Sequence, residues 1–251
     1  MSRLNNDELQ RRIDQEFLSM PMRPSTMTYY TVRSAILSSV KRETVDFYGS
    51  VLDVGCGFMP YRSLIESLDT VESYAGMDVE DQTYYFDVAP DLVWDGRTIP
   101  APNGSFDCVM ATEFLEHCSD PKAVLAEIAR VMKPGGKLFA TVPFVWNLHE
   151  LPHDEFRYTP ISLERVLVDA GLSEVRIDPL AGWNAALAQM LGLWLGFSPV
   201  RRRTRTLLRH LLFPFYAALV RFDLRFDGFD GGERSMFTGL SAVARKPLGQ
   251  K

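Results

Sequence analysis

"VLDVGCGFMP", residues 51–60, is the stretch on which the reading of this chain turns. A short apolar run carries one aspartate, Asp53, then a Gly-Cys-Gly turn, then Pro60. A strand that ends on glycines offers backbone N–H groups to a ligand with no Cβ in the way. In an open parallel sheet, that carboxyl end is where ligands bind. The same letters also describe a plain structural turn, so the surroundings have to decide.

Working outward, short apolar runs alternate with amphipathic stretches. Residues 51–54, 73–79, 91–94, 106–112, 136–142 and 174–178 read as strands. A helix is predicted over 121–132, with Pro121 in its first turn and an apolar face of Val124, Leu125, Ile128 and Val131. "KPGG" at 133–136 is expected to stop it. A second helix is expected over 160–170, ended by Gly171, and a last strand over 236–246. Upstream, residues 7–17 and 26–48 read as helices separated by Pro21 and Pro24. This alternation predicts an α/β fold with a mostly parallel sheet covered on both faces.

Composition narrows the class. The chain has 251 residues, enough for one large α/β domain or two small ones. A net charge of −5 argues against a general nucleic-acid binder. Cys56, Cys108 and Cys118 show no metal-ligand spacing, so no metal is expected, and their sparse, odd count suits a reducing compartment. The N-terminus is polar, with no apolar core of a secretory signal. A cytoplasmic location is the expectation.

The cofactor question is sharpened by Asp78, which closes the next strand about twenty residues on. A carboxylate there can accept from both hydroxyls of a ribose. The dinucleotide fingerprint wants a third glycine where this chain has Pro60, which counts against a nicotinamide cofactor.

"VLDVGCG", "GMDV", "WDGRTIPAPNGSFDCVMATEFLEH" and "DPKAVLAEIARVMKPGGKLFATVP" resemble, in order, the motifs of class I S-adenosylmethionine-dependent methyltransferases of the type 11 group. The resemblance covers residues 50–145 and, more loosely, 146–178. It implies a Rossmann-like methyltransferase fold with a mostly parallel seven-stranded sheet. The cofactor it implies is S-adenosyl-L-methionine. Asp53, Gly55, Cys56 and Gly57 would form the cofactor loop, with Cys56 contributing backbone rather than thiol. Asp78 would hold the ribose, and Asp95 with Gly96 would meet the adenine amino group. Glu113 would end the fourth strand near the methionine part. Asp95 read by itself also fits a turn residue before Gly96, and Glu113 a loop cap.

The acceptor side falls on "WNLHELPHDEFRYTP", residues 146–160, a loop after the fifth strand crowded with histidines, acids, an arginine and aromatics. His149 or His153, with Asp154, are candidate catalytic residues, because imidazole titrates near neutral pH. His117 in "EFLEH" is a second candidate. The competing reading makes His153, Asp154 and Arg157 a structural network.

Residues 179–200 carry no charge, and a basic cluster from Arg201 to Arg209 follows. Four segments result: N-terminal helices as a cofactor lid (1–48), a cofactor-binding core (49–178), an apolar and basic helical insertion (179–235), and the last strand and tail (236–251). The insertion is expected to wall the acceptor pocket or pack in a homodimer, with peripheral membrane contact through 179–225 as the alternative. The expected function is methyl transfer to O or N of a small molecule, a sugar or a lipid-linked intermediate. The rivals are a lipid or quinone acceptor at a membrane surface and a non-catalytic S-adenosylmethionine-binding protein.

Overall fold

The run that starts at Val51 lies in strand β1 (Gly49–Val54), flanked in parallel by β2 (Val71–Val79) on one side and β4 (Phe106–Thr112) on the other. The structure is a computed structural model that describes residues 6–79, 89–223 and 236–249. The other strands are β3 (Leu92–Trp94), β5 (Met132–Pro143), β6 (Ser173–Leu180) and β7 (Gly239–Arg245). They form one seven-stranded sheet in the order β3-β2-β1-β4-β5-β7-β6. Only β7 runs antiparallel to its neighbours, pairing β5 over Lys137–Pro143 and β6 on its other edge. The strand order reverses direction between β1 and β4, which makes their carboxyl ends the switch point where a ligand crevice opens.

Side chains alternate across the sheet, and both faces are covered. Leu52, Val54, Val109, Ala111, Leu138 and Ala140 pack toward α4 (Pro121–Val131) and α5 (Pro160–Asp169), against Leu125, Ile128, Leu163 and Leu167. Val51, Cys108, Met110 and Phe139 point the other way, against Val32, Ile36 and Val40 of α2 (Tyr30–Glu43) and Ile65 of α3 (Arg62–Glu66). Burial on both faces is why these strands read as unbroken apolar runs rather than as alternation. Each fully buried Leu or Ile contributes about 1.5–3 kcal/mol.

Several expected boundaries are corrected. The N-terminal helix α1 (Asn6–Ile13) continues as a wider turn over Asp14–Leu18. The helix expected over 26–48 is shorter. A single tight turn, Pro24–Thr26, precedes α2, and the Thr44 hydroxyl bonds back to the Val40 carbonyl (2.8 Å) where α2 ends. "KPGG" does not cap α4. That helix ends at Val131, and Met132 is already extended and buried as the first residue of β5. Lys133 is held by Asp107 (2.7 Å), and Gly135, at φ 80°, donates to the Lys246 carbonyl, so the glycines bend the strand onto β7. Pro60 lies just ahead of α3, which starts at Arg62.

The expected insertion is a pair of helices, α6 (Trp183–Phe197) and α7 (Arg202–Arg221); its residues 224–235 lie outside the described residues, as do residues 1–5 and 250–251 at the chain ends. The pair docks on the N-terminal segment. Gly192 lies so close to Met27 that a Cβ there would stand 2.1 Å from the Met27 carbonyl oxygen. Gln189 donates to the Thr28 carbonyl (3.2 Å), and the Thr31 and Tyr216 hydroxyls share a buried bond (2.6 Å). Among the described residues, no helix is long and apolar enough to cross a membrane.

Candidate active site

The loops leaving β1, β2, β4 and β5 converge on a cleft of about 1360 Å³, covered by Phe17, Tyr29 and Arg33 from the N-terminal segment. Pockets for a single small ligand run to about 300–1,000 Å³. This cleft has room for a cofactor and a second molecule.

One end is built by the glycine loop. Gly55 (φ 68°) and Gly57 (φ 50°) both hold left-handed backbone. A Cβ on Gly55 would fall 2.4 Å from the Phe114 ring, so the loop has to be bare there. The Gly57 N–H donates to Asp78 Oδ2 (2.9 Å) and the Val79 N–H to Asp78 Oδ1 (2.8 Å), which fixes the Asp78 carboxylate at the cleft wall. Trp94 packs on Phe114 (5.8 Å between centroids), and its indole N–H is buried with no hydrogen-bond partner among the described residues.

Other predicted loop residues lie differently. Asp53 is buried beneath the loop and does not line the cleft. It accepts from the Tyr74 hydroxyl, and desolvation, countered in part by that bond, raises its carboxyl to about 7. Cys56 lines the cleft, but burial and the charges of Asp53, Asp78 and Asp91 push its thiol far above the ordinary range. Asp95 is exposed. Its Oδ1 accepts from Thr98 and Arg97 N–H (both 2.8 Å), bonds that lower its carboxyl, and it closes the turn in which Gly96 (φ 80°) sits at the cleft edge.

Glu113 lines the same cleft. It adopts φ 50°, a conformation costing a non-glycine residue about 1 kcal/mol or more. The strand end over-determines it: its N–H donates to the Thr141 carbonyl (3.0 Å) and its Oε1 accepts from the Thr141 hydroxyl (2.9 Å). Desolvation outweighs that bond and the Arg33 and Arg157 charges, raising the carboxyl to about 6. Arg33 sits over the Phe17 ring (4.0 Å) at the cleft wall.

The histidines cluster at the same cleft. His117, His149 and His153 all line the cleft, and the His117 and His149 rings meet edge to face at 4.9 Å. Asp154 does not line it. Burial would raise the Asp154 carboxyl, but two bonds from Arg157 (2.6 and 2.8 Å) and those from His149 hold it well below the usual carboxylate range. Asp154 therefore orients His149, while Arg157 ties the pair to the loop. His153 offers its carbonyl to His117 Nδ1 (3.1 Å). Desolvation lowers the His117 imidazole.

Glu116 was not anticipated. It is fully buried, and burial together with the Glu113 charge raises its carboxyl well above the ordinary value. In the sequence its only signal is its place beside His117 in "EFLEH". Arg33 was equally unmarked, because a helix-borne arginine has no local pattern that points to a cleft.

Residues 52–140 match the family described as "Methyltransferase domain". The chain carries a class I S-adenosylmethionine-dependent methyltransferase domain. The methyltransferase domain is similar to a ubiquinone biosynthesis O-methyltransferase of Xanthomonas oryzae pv. oryzae, 36% identical over 108 residues, which is 36% of this chain and 41% of that protein. The match thus spans less than half of that relative. In structure, a SAM-dependent methyltransferase from Archaeoglobus fulgidus aligns with TM-score 0.51 and 19% identity, covering 86% of this chain and 96% of that one. The [4+2]-cyclase SpnF aligns with TM-score 0.53 and 20% identity, covering 87% and 83%. The shared fold therefore extends well beyond the family match.

S-adenosylmethionine is the cofactor of this domain class, and the methyltransferase domain fits it. The bare backbone at Gly55, the oriented Asp78 carboxylate and the buried, unpaired Trp94 indole N–H are the donor set and cradle that a nucleoside with a ribose diol requires.

Proposed function

We propose that this protein transfers a methyl group from S-adenosylmethionine to an oxygen or nitrogen of a small molecule, a sugar or a lipid-linked intermediate. The observation that carries the reading is a single cleft lined by Asp78 and the glycine loop and also by His149, which Asp154 orients. When bound, the cofactor supplies a methyl group made electrophilic by its sulfonium. Asp78 and the Gly55 and Gly57 backbone hold the nucleoside. Arg33 answers the cofactor's carboxylate, and Glu113 lies where a negative group offsets the sulfonium charge. The N-terminal helices cover the cleft as a lid, so that alignment of donor and acceptor does most of the work.

On the acceptor side, Asp154 accepts a hydrogen bond from His149 Nδ1–H, which leaves the Nε2 lone pair to take the proton of a weakly acidic acceptor. Methyl-labelled cofactor incubated with cell extract, then fractionated into lipid, glycan and small-molecule pools, tests this. Label in one pool that disappears with His149→Ala is the expected result. Cofactor binding with no labelled pool would leave the rival reading, a non-catalytic binding protein.

A lipid or quinone acceptor met at a membrane surface is a second reading, favoured by one observation. Leu187, Met190, Trp194 and Phe197 recur along a single face of α6, each about half exposed, and Phe197 also lines the cleft. Exposed Arg201, Arg202 and Arg203 follow directly. An apolar face beside arginines suits an anionic lipid surface.

A further inference from the structure

Glu116, His117 and His149 each present a ligand atom within 4.8 Å of the others. Both histidines are held as metal ligands are held. His117 Nδ1 lies 3.1 Å from the His153 carbonyl, and His149 Nδ1 lies 3.1 Å from Asp154 Oδ2. A proton on Nδ1, donated to oxygen, fixes the tautomer and leaves Nε2 as the lone-pair donor. The third group makes the cluster more than a pair of surface histidines. Glu116 is 0% exposed, and neither carboxylate oxygen has a hydrogen-bond partner among the described residues. A buried polar group left unpaired is costly, and a cation between it and two imidazoles would satisfy it.

The distances are close to those of a coordination sphere. His117 Nε2 lies 3.7 Å from Glu116 Oε1 and 3.6 Å from Glu150 Oε2. Ligand atoms at about 2.0–2.2 Å from one ion stand about 3.3–3.6 Å apart in tetrahedral geometry. Two edges need a contraction of only a few tenths of an ångström, roughly. The edge to His149 needs more, and His149 lies on the 146–160 loop rather than on a strand.

We propose that Glu116, His117 and His149 form a divalent transition-metal site on the acceptor side of the cleft, with Glu150 as a fourth ligand. Two imidazoles and a carboxylate suit zinc, iron(II) or cobalt(II), whereas magnesium and calcium favour all-oxygen sets. Metal binding needs only these side chains. Its role rests on the methyl-transfer reading above. An acceptor hydroxyl that fills an open position loses its proton to water as the metal–oxygen bond forms, so His149 acts as a ligand in place of a base. The acceptor is then an oxygen nucleophile able to coordinate a metal.

The test titrates metal-free full-length protein with Co²⁺, reading stoichiometry by elemental analysis and coordination by visible ligand-field bands. One equivalent per chain with nitrogen-ligated bands is expected. His149→Ala and Glu116→Gln should each weaken binding at least tenfold, and Asp154→Asn by about 10- to 100-fold through the lost second hydrogen bond. His210→Ala, an exposed residue of α7 that does not line the cleft, should leave it unchanged. Circular dichroism identifies any variant that fails to fold, and the partly exposed His149 then decides the matter. No bound Co²⁺ in the wild type, equal binding in His149→Ala, or equal loss in His210→Ala overturns the site. Calorimetry with S-adenosylmethionine in the same samples keeps the two ideas apart. Cofactor binding without Co²⁺ binding removes the metal and leaves the transfer reading. Co²⁺ binding without cofactor binding or methyl incorporation does the reverse.

Discussion

Asp154 grips His149 at two points, accepting from its backbone N–H and lying 3.1 Å from its ring Nδ1, while Arg157 clamps the other side of the same carboxylate. The ring cannot turn without breaking a buried, charge-assisted network. The arrangement separates orientation from contact: Asp154 does the first from behind the cleft wall, and His149 does the second.

Asp154→Asn keeps the shape and removes the charge. Methyl transfer to the labelled acceptor pool should fall by about 10- to 100-fold, as for second-layer partners of a working histidine. The cofactor dissociation constant should not move, because Asp154 does not line the cleft, whereas Asp78 and the glycine loop do. Melting should show a loss of about 1–3 kcal/mol from the unbalanced Arg157 bonds. Equal losses in turnover and cofactor affinity would assign Asp154 to the scaffold alone.

Asp78 makes the opposite prediction. Asp78→Ala should weaken S-adenosylmethionine binding by about 1.5–3 kcal/mol, the worth of charge-assisted hydrogen bonds. Gly55→Ala should do at least as much, since its Cβ meets the Phe114 ring at 2.4 Å. Isothermal calorimetry on both variants checks this, and unchanged affinity in Asp78→Ala would place the ribose elsewhere.

How much of this could be read from letters depends on how local the cause is. β1 and its glycine loop were legible because an apolar run, two glycines and an aspartate one strand later are all short-range marks. The "KPGG" stretch misled because the glycine bend that stops a helix is also the bend that turns β5 onto β7, and only the pairing with Lys246 decides between them. Asp95 matched a motif position, yet its carboxylate is engaged by the two N–H groups that follow it. Glu116 was invisible for the opposite reason. Its burial comes from the fold around it, including the 146–160 loop, whose Glu155 and Phe156 N–H groups bond its carbonyl.

Asp53 gives a pH signature. Its carboxyl ordinarily titrates at 3.8 and is raised to about 7 by burial, with the Tyr74 hydroxyl opposing and the Asp78 charge adding. The folded chain therefore holds this proton more tightly than the unfolded chain. Its contribution to stability is full below the unfolded value and is lost as pH rises through about 7. The effect is at most about 4 kcal/mol. Asp53→Asn, which can still accept from Tyr74, should flatten the fall in melting temperature between about pH 4 and pH 7. An identical slope in wild type and variant would mean that Asp53 is ionised in the fold.

The apolar face of α6 can be set against the lipid reading directly. Leu187, Met190, Trp194 and Phe197 face outward together, and the three arginines after them supply the charge that anionic headgroups attract. The wild type should float with anionic vesicles and less so with neutral ones. Salt should weaken the binding, because part of it is a screened attraction. Trp194→Ala with Met190→Ala should reduce flotation through lost apolar area, and Arg201, Arg202 and Arg203→Gln should remove the preference for anionic lipid. If the apolar face instead packs against a second copy, the wild type sediments as a dimer and ignores vesicles, and the Trp194→Ala, Met190→Ala variant becomes monomeric. A wild type that ignores anionic vesicles at both low and high salt ends the membrane reading.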